Sequence, residues 1–163
     1  MNKLLSQYQK LAAASLGEAT ALPFAVYHDE EVSKLEAEKV FSKDWVFACA
    51  ERAIANPGDY FSFDLAGEAI TILRGQDGEL RAMSNNCRHR GTLLLDEGFG
   101  HAGKRITCPY HAWTYNDQGG LKAVPFPGKV NVDKNEHCLP QFKLETWSGL
   151  LFINLDKEAA PLS

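Results

Sequence analysis

The spacing of apolar residues changes character along the chain. Near the start, Leu4, Tyr8, Leu11 and Leu16 recur at helical intervals, which predicts an amphipathic helix closed by Gly17. A second helix is predicted from about Asp29 to Ser42. There Val32, Leu35, Val40 and Phe41 fall on one side, and Asp29 stands as N-cap before an acidic first turn. From Trp45 the pattern becomes short runs of β-branched and aromatic residues. Strands are predicted near WVFACA, YFSFDLA, AITILRG, LRAMSN, RITC, WTYN, LKAV and GLLFINL. Between them NPGD, GQDGE and NDQGG carry turn chemistry. No helix-length segment separates the later strands. The expected fold is therefore mainly β, a small antiparallel β-sandwich or open barrel preceded by an N-terminal helical arm, and not a βαβ arrangement.

Composition narrows the classes of function. With 163 residues, 45% of them hydrophobic, the chain is large enough for one compact domain plus an arm. Its 17 Lys and Arg against 21 Asp and Glu form no basic block, so nucleic acid is an unexpected partner. No apolar run approaches the roughly 18 residues of a membrane span, and a soluble protein is expected. Gln7, Gln9 and Lys10 interrupt any signal-peptide core. A chain of this size without an export signal is expected in a reducing cytoplasm, its four cysteines serving as thiols or metal ligands.

The candidate chemistry lies in CRHRG, Cys87 to Gly91, and CPYHAWTY, Cys108 to Tyr115. Each stretch offers one thiol and one imidazole: Cys87 with His89, and Cys108 with His111. Two metal centres suit such a set, a Cys2His2 zinc or a [2Fe-2S] cluster with two thiolates on one iron and two imidazoles on the other. Zinc fingers present both cysteines before both histidines, with the histidines on a short helix, and neither feature is predicted here. GFGHAG, Gly98 to Gly103, matches a dinucleotide fingerprint in letters, but no strand and helix frame it, so it reads as a Gly-rich turn. A cysteine nucleophile with a histidine base explains two such pairs poorly. Cys49 reads as a buried small hydrophobe and Cys138 as a non-ligand, while His28, His101 and His137 read as surface or loop residues.

These motifs, together with VFSKDWVFACAERAIANPGDYFSFDLAGEAITILRGQDGELRAMSNNC and FKLETWSGLLFINLD, resemble the N-terminal domain of the alpha subunit of Rieske non-haem iron oxygenases, over about Leu22 to Leu162. The resemblance implies a Rieske fold in which Cys87 and Cys108 hold the inner iron of a [2Fe-2S] cluster and His89 and His111 the outer, reducible one. It implies one-electron transfer from a flavin or iron-sulfur reductase, or a ferredoxin, to a mononuclear Fe(II) in a C-terminal catalytic domain. That domain, of the same or a neighbouring subunit of a trimer, is absent from this chain. The chain alone is expected to carry electrons without hydroxylating, with 1–44 as arm, 45–155 as cluster domain and 156–163 as the start of a linker. Neutral imidazoles make such a cluster easier to reduce than an all-cysteine one. The disulfide of respiratory Rieske proteins has no counterpart, since Thr92 and Tyr110 stand at its positions, and a low potential is expected. Gly91 is expected to let backbone N–H groups point at sulfur, and reduction to raise the imidazole pKa values. Arg88 and Arg90 read either as donors at a subunit contact or as solvated charges, and Trp113 and Tyr115 as core residues before cluster covers. A free-standing Rieske ferredoxin is the alternative. Such carriers are usually shorter and lack the helical arm, which favours the oxygenase.

Overall fold

In the computed structural model, which describes residues 3–125, 127–129 and 131–163, helix α1 spans Lys3–Ala12 and stops short of Gly17. After Leu11 the chain offers only alanines and Ser15 before Leu16, which is 96% exposed, so no apolar stripe remains to bury. Ser15 forms a local turn instead, its hydroxyl donating to Glu18 Oε2 at 2.8 Å. Helix α2, Glu30–Glu36, begins where predicted: Asp29 Oδ1 accepts from the N–H groups of Glu31 and Val32, both at 3.0 Å. It does not continue as α-helix to Ser42 but widens into a π turn, Ala37–Phe41. The extra residue in that turn rotates Val40 and Phe41 off the stripe of buried Val32, and they are 43% and 42% exposed. The chain divides into two units, Met1–Val40 and Phe41–Ser163.

The second unit is built of antiparallel strands: β1 Val46–Ala50, β2 Asp59–Leu65, β3 Glu68–Arg74, β4 Leu80–Ser84, β5 Gly98–His101, β6 Arg105–Thr107, β7 Thr114–Asn116, β8 Leu121–Ala123, β9 Gln141–Trp147 and β10 Leu150–Asn154. Seven form one sheet in the order β1-β10-β9-β4-β3-β2-β5, and three form a second, β6-β7-β8. Two hairpins close on two-residue turns with both residues at positive φ, Ala66-Gly67 at 54° and 85° and Ser148-Gly149 at 50° and 76°, the turn sense that matches strand twist.

Alternation within the strands decides which core each residue joins. Ile70 and Ile72 of β3 face one way, into a core shared with Cys49 of β1, Leu65 of β2, Ala82 of β4 and Leu151 and Ile153 of β10. Residues from far-separated strands of the sheet order meet in that core, so the sheet is curled into an open half-barrel. Leu73, Tyr60 and Met83 face the other way. They pack with Ile106, Tyr115 and Leu121 of the small sheet and with Leu94, Cys87 and Cys108. This second core fastens the loops after β4 and β6 to the half-barrel.

The mainly β, antiparallel expectation holds, with two strands beyond those predicted. Residues 98–101, read as a Gly-rich turn, form β5, which pairs with β2 from Asp59↔His101 to Ser62↔Gly98. Glycine is required there: a Cβ on Gly100 would lie 2.4 Å from the ring of buried Tyr60. The other unpredicted strand, β9, alternates Phe142 and Leu144 with Lys143 and Glu145. Residues 156–163 lie against the sheet. Asp156 pairs with Lys43 at 2.9 Å, Trp45 Nε1 donates to the Ala160 carbonyl at 2.9 Å, Lys143 Nζ to the Ala159 carbonyl, and the Leu162 N–H to Glu145 Oε2 at 2.8 Å.

Candidate metal centre

The two Cys-His loops share one backbone framework despite their unlike gaps. In the first, the Cys87 carbonyl accepts from the Gly91 N–H at 2.8 Å and the Cys87 N–H donates to the Thr92 carbonyl at 2.9 Å. In the second, the Cys108 carbonyl accepts from the Ala112 N–H at 3.0 Å and the Cys108 N–H donates to the Trp113 carbonyl at 2.8 Å. The residue four after each cysteine is left-handed, Gly91 at φ 71° and Ala112 at φ 56°. The histidine comes two residues after the cysteine in one frame and three after it in the other. The strands anchor these frames. Asn85, at the end of β4, donates from Nδ2 to the Leu95 carbonyl at 2.8 Å and accepts from the Leu95 N–H at 3.0 Å, and β6 and β7 pair Thr107 with Thr114 below the second loop.

All four predicted residues are brought together. Cys87 and Cys108 are each 3% exposed and sit in the core between sheet and loops. The imidazoles of His89 and His111 lie outside them, ring centroids 4.7 Å apart at 70°. Burial, then the neighbouring His111 and Arg90 charges, hold the His89 imidazole below its ordinary range. The Cys87 thiol is pushed up, first by burial, and its neighbour Cys108 adds to the rise. Two donors oppose that: the His89 N–H and the Tyr115 hydroxyl, whose Oη is 3.4 Å from Cys87 Sγ. The Arg88 N–H donates to Tyr115 Oη at 3.0 Å, which leaves the hydroxyl proton free to point at sulfur.

Gly91 donates its own N–H to the Cys87 carbonyl and sits at φ 71°, while the His89 N–H of the same loop is directed at the Cys87 sulfur. Trp113 and Tyr115 are core residues, 6% and 0% exposed, as expected. Tyr115 also touches the site, so it combines the core reading with a place beside the thiols. The available signal was its place on β7, seven residues after Cys108, with an inward-facing side chain. The remaining candidates stay apart. Cys49 is buried in the half-barrel core, where burial pushes its thiol up to about 11, and Cys138 is exposed. His28 and His101 are exposed, and His101 pairs with Asp59 at 2.9 Å. His137 is half-buried and lines, with Arg88, His89, Tyr110, His111 and Trp113, a cleft of about 650 Å³.

The donor set fits a [2Fe-2S] cluster. His89 Nδ1 and His111 Nδ1 are both buried without a hydrogen-bond partner, an arrangement that costs free energy unless the nitrogens serve as ligands. Among the described residues no three His, Cys, Asp or Glu side chains are grouped as around a single ion. With the two thiols in the core and the two imidazoles outside them, the donors are arranged pairwise, as the two irons of such a cluster require. No helix among the described residues is long and apolar enough to cross a membrane.

Comparison with known proteins agrees with this geometry. The chain is 39% identical over 143 residues to the carnitine monooxygenase oxygenase subunit of Escherichia coli (strain K12), a match over 87% of this chain and 38% of that one. Naphthalene 1,2-dioxygenase from Rhodococcus sp. superposes with a TM-score of 0.84 at 32% identity, over 99% of this chain and 37% of that one. A quaternary ammonium Rieske monooxygenase, whose structure is described as bearing on carnitine oxidation and inter-subunit electron transfer, gives a TM-score of 0.76 at 39% identity, over 81% and 36%. The chain spans 38% of the length of the carnitine monooxygenase subunit it matches. The family model for the Rieske [2Fe-2S] domain matches residues 44–143, a stretch that begins just before β1, contains both loops and ends within β9. On that match the chain belongs to the Rieske [2Fe-2S] domain family.

Proposed function

We propose that Cys87 and Cys108 hold one iron of the cluster through their thiolates, and that His89 and His111 hold the other through Nδ1. The observation that carries this assignment is the pair of buried, unpartnered Nδ1 atoms beside two buried thiols in matched loop frames. When bound, the cluster takes up one electron and gives it back. The protein's own groups set the conditions. Tyr115, Leu94 and Ile106 keep water from the thiol side. The His89 N–H and the Tyr115 hydroxyl offset negative charge at the Cys87 sulfur. On the imidazole side the cleft gives a partner access to the ring edges.

In this reading the chain is the electron-transfer part of an oxygenase alpha subunit. A flavin or iron-sulfur reductase, or a ferredoxin, supplies electrons. They pass to a mononuclear non-haem iron in a catalytic domain of the same or a neighbouring subunit of a trimer. Support comes from the oxygenase relatives and from the inter-subunit transfer described for one of them. Residues 1–44 form the arm, 45–155 the cluster domain, and 156–163 lead toward the catalytic domain. Arg88 and Arg90, exposed beside the cleft, contact the neighbouring subunit. A reducing, cytoplasmic setting agrees with four unpaired cysteines.

Iron and sulfide analysis tests the assignment. Two irons and two sulfides per chain are expected, with an EPR signal on reduction that carries couplings from two histidine nitrogens. Cys87→Ala and His111→Ala should abolish it, and Cys49→Ala and Cys138→Ala should not. Colourless protein, or cluster loss in the last two variants, would refute it.

A further inference from the structure

We propose that His137, acting through Trp113, is a positioning residue that fixes the ring plane of His89; this rests on the ligand assignment above. Trp113 lies flat on the His89 imidazole, ring centroids 4.9 Å apart and planes 7° from parallel. Trp113 is itself 6% exposed and wedged in the core with Ile106 and Leu139. Against it stands His137 in a T-shaped contact, centroids 5.4 Å apart at 69°. His137 is tethered in turn: its Nδ1 is 2.8 Å from the Asp133 carbonyl oxygen, which can only accept, so Nδ1 carries the proton and donates. The three rings form a stack that runs from a surface turn, Asn135–His137, to the candidate ligand.

Among the described residues the other imidazole has no such backing. His111 lies against Tyr110, centroids 3.8 Å apart at 37°, and Tyr110 is 61% exposed. Two histidines presented in equivalent loop frames are therefore restrained unequally. Rotating the His89 ring would break a parallel stack against an indole that the core does not allow to follow, whereas Tyr110 can move with His111. Edge-to-face contact with His137 adds a further restraint on Trp113. The packing sets the His89 plane in advance, so the ring does not have to be oriented by the bond it makes. His137 lies outside both motifs, 26 residues beyond His111, and contributes only because the segment after β8 folds back over Trp113.

The test uses the iron-loaded protein and reads the two ligand nitrogens separately, by electron-nuclear double resonance of the reduced state. His137→Ala should keep two irons and two sulfides per chain, yet shift the coupling of one ligand nitrogen and leave the other unchanged. Trp113→Leu should shift the same nitrogen further. The double variant should match Trp113→Leu alone, because His137 acts through Trp113. His137→Phe, which restores an aromatic ring without the imidazole nitrogens, should return most of the wild-type coupling. Superimposable spectra for wild type and His137→Ala would overturn the proposal. So would a double variant whose shift is the sum of the two singles, since His137 would then act on the centre directly. If Trp113→Leu does not fold, the two His137 variants decide. Wild-type protein lacking histidine couplings altogether would instead count against the ligand assignment.

Discussion

Tyr115 shows how one buried side chain conditions the site. Its oxygen accepts from the Arg88 N–H and lies 3.4 Å from Cys87 Sγ, where the hydroxyl can donate to the sulfur when that is a thiolate. A donor to sulfur stabilises whichever redox state carries more negative charge, which is the reduced one. Tyr115→Phe should therefore keep the cluster and lower its potential. A hydrogen bond worth about 1 kcal/mol corresponds to about 40 mV for one electron, within reach of a redox titration. At the loop corners the equivalence of the two frames makes a second prediction. Gly91 at φ 71° has open space where a Cβ would go, so Gly91→Ala should cost about 1 kcal/mol in urea unfolding from backbone strain alone. Ala112 already bears that strain at φ 56°, and Ala112→Gly should leave stability unchanged or raise it by up to about 1 kcal/mol.

At the scale of the element, β5 is the instructive case. It forms because Gly100 lets it approach β2, with Tyr60 filling the space a side chain at position 100 would need. Gly100→Ala should destabilise by about 1–3 kcal/mol through overpacking, measured as a shift in denaturation midpoint at constant m-value. The same edge is held by Asp59, whose Oδ1 lies 2.9 Å from His101 Nδ1 and whose Oδ2 accepts from the Asn56 N–H at 2.8 Å. The bond from His101, then that from Asn56, holds the Asp59 carboxyl below its usual range. A carboxyl whose folded pKa is depressed contributes stability that is present above its unfolded value near 4 and is lost as pH falls through the folded pKa. With His101 exposed the contribution is at most about 1 kcal/mol, and Asp59→Asn should remove it, flattening the stability profile below about pH 4. Neither β5 nor its dependence on Tyr60 could be read from GFGH, because glycines erase the apolar alternation that marks a strand. β9, before the two-residue turn at Ser148-Gly149, does alternate in the sequence, yet it is not among the predicted strands.

At the scale of the whole molecule, the core behind the two loops is the one that a bound cluster completes. Cys87 and Cys108 belong to it together with Leu73 and Met83 of the half-barrel, while the Cys49 core does not touch the site. Removing iron leaves two imidazole nitrogens buried without partners and two loops joined by packing and by the Tyr115 hydroxyl contacts to Cys87 and Arg88. Cluster-free protein should melt at a lower temperature. Its amide exchange should rise in 85–95 and 107–114 and remain slow in β3 and β10, which line the other core. Equal protection of the loops with and without iron would contradict this division.

The helix start at Asp29, most of the strands and the four Cys-His residues are local facts, set by capping chemistry, side-chain alternation and ligand type, and each was determined by neighbours within a few positions. What only the tertiary structure decided depends on residues far apart in the chain: the curl that joins β1 to β2 in one core, the glycine of β5, Gly100, that admits Tyr60, and the Tyr115 hydroxyl set beside Cys87. The unlike gaps of the two motifs also resolve only in space, because the matching quantity is the backbone frame around each cysteine, and hydrogen bonds to residues four and five positions on do not depend on where within the frame the histidine falls.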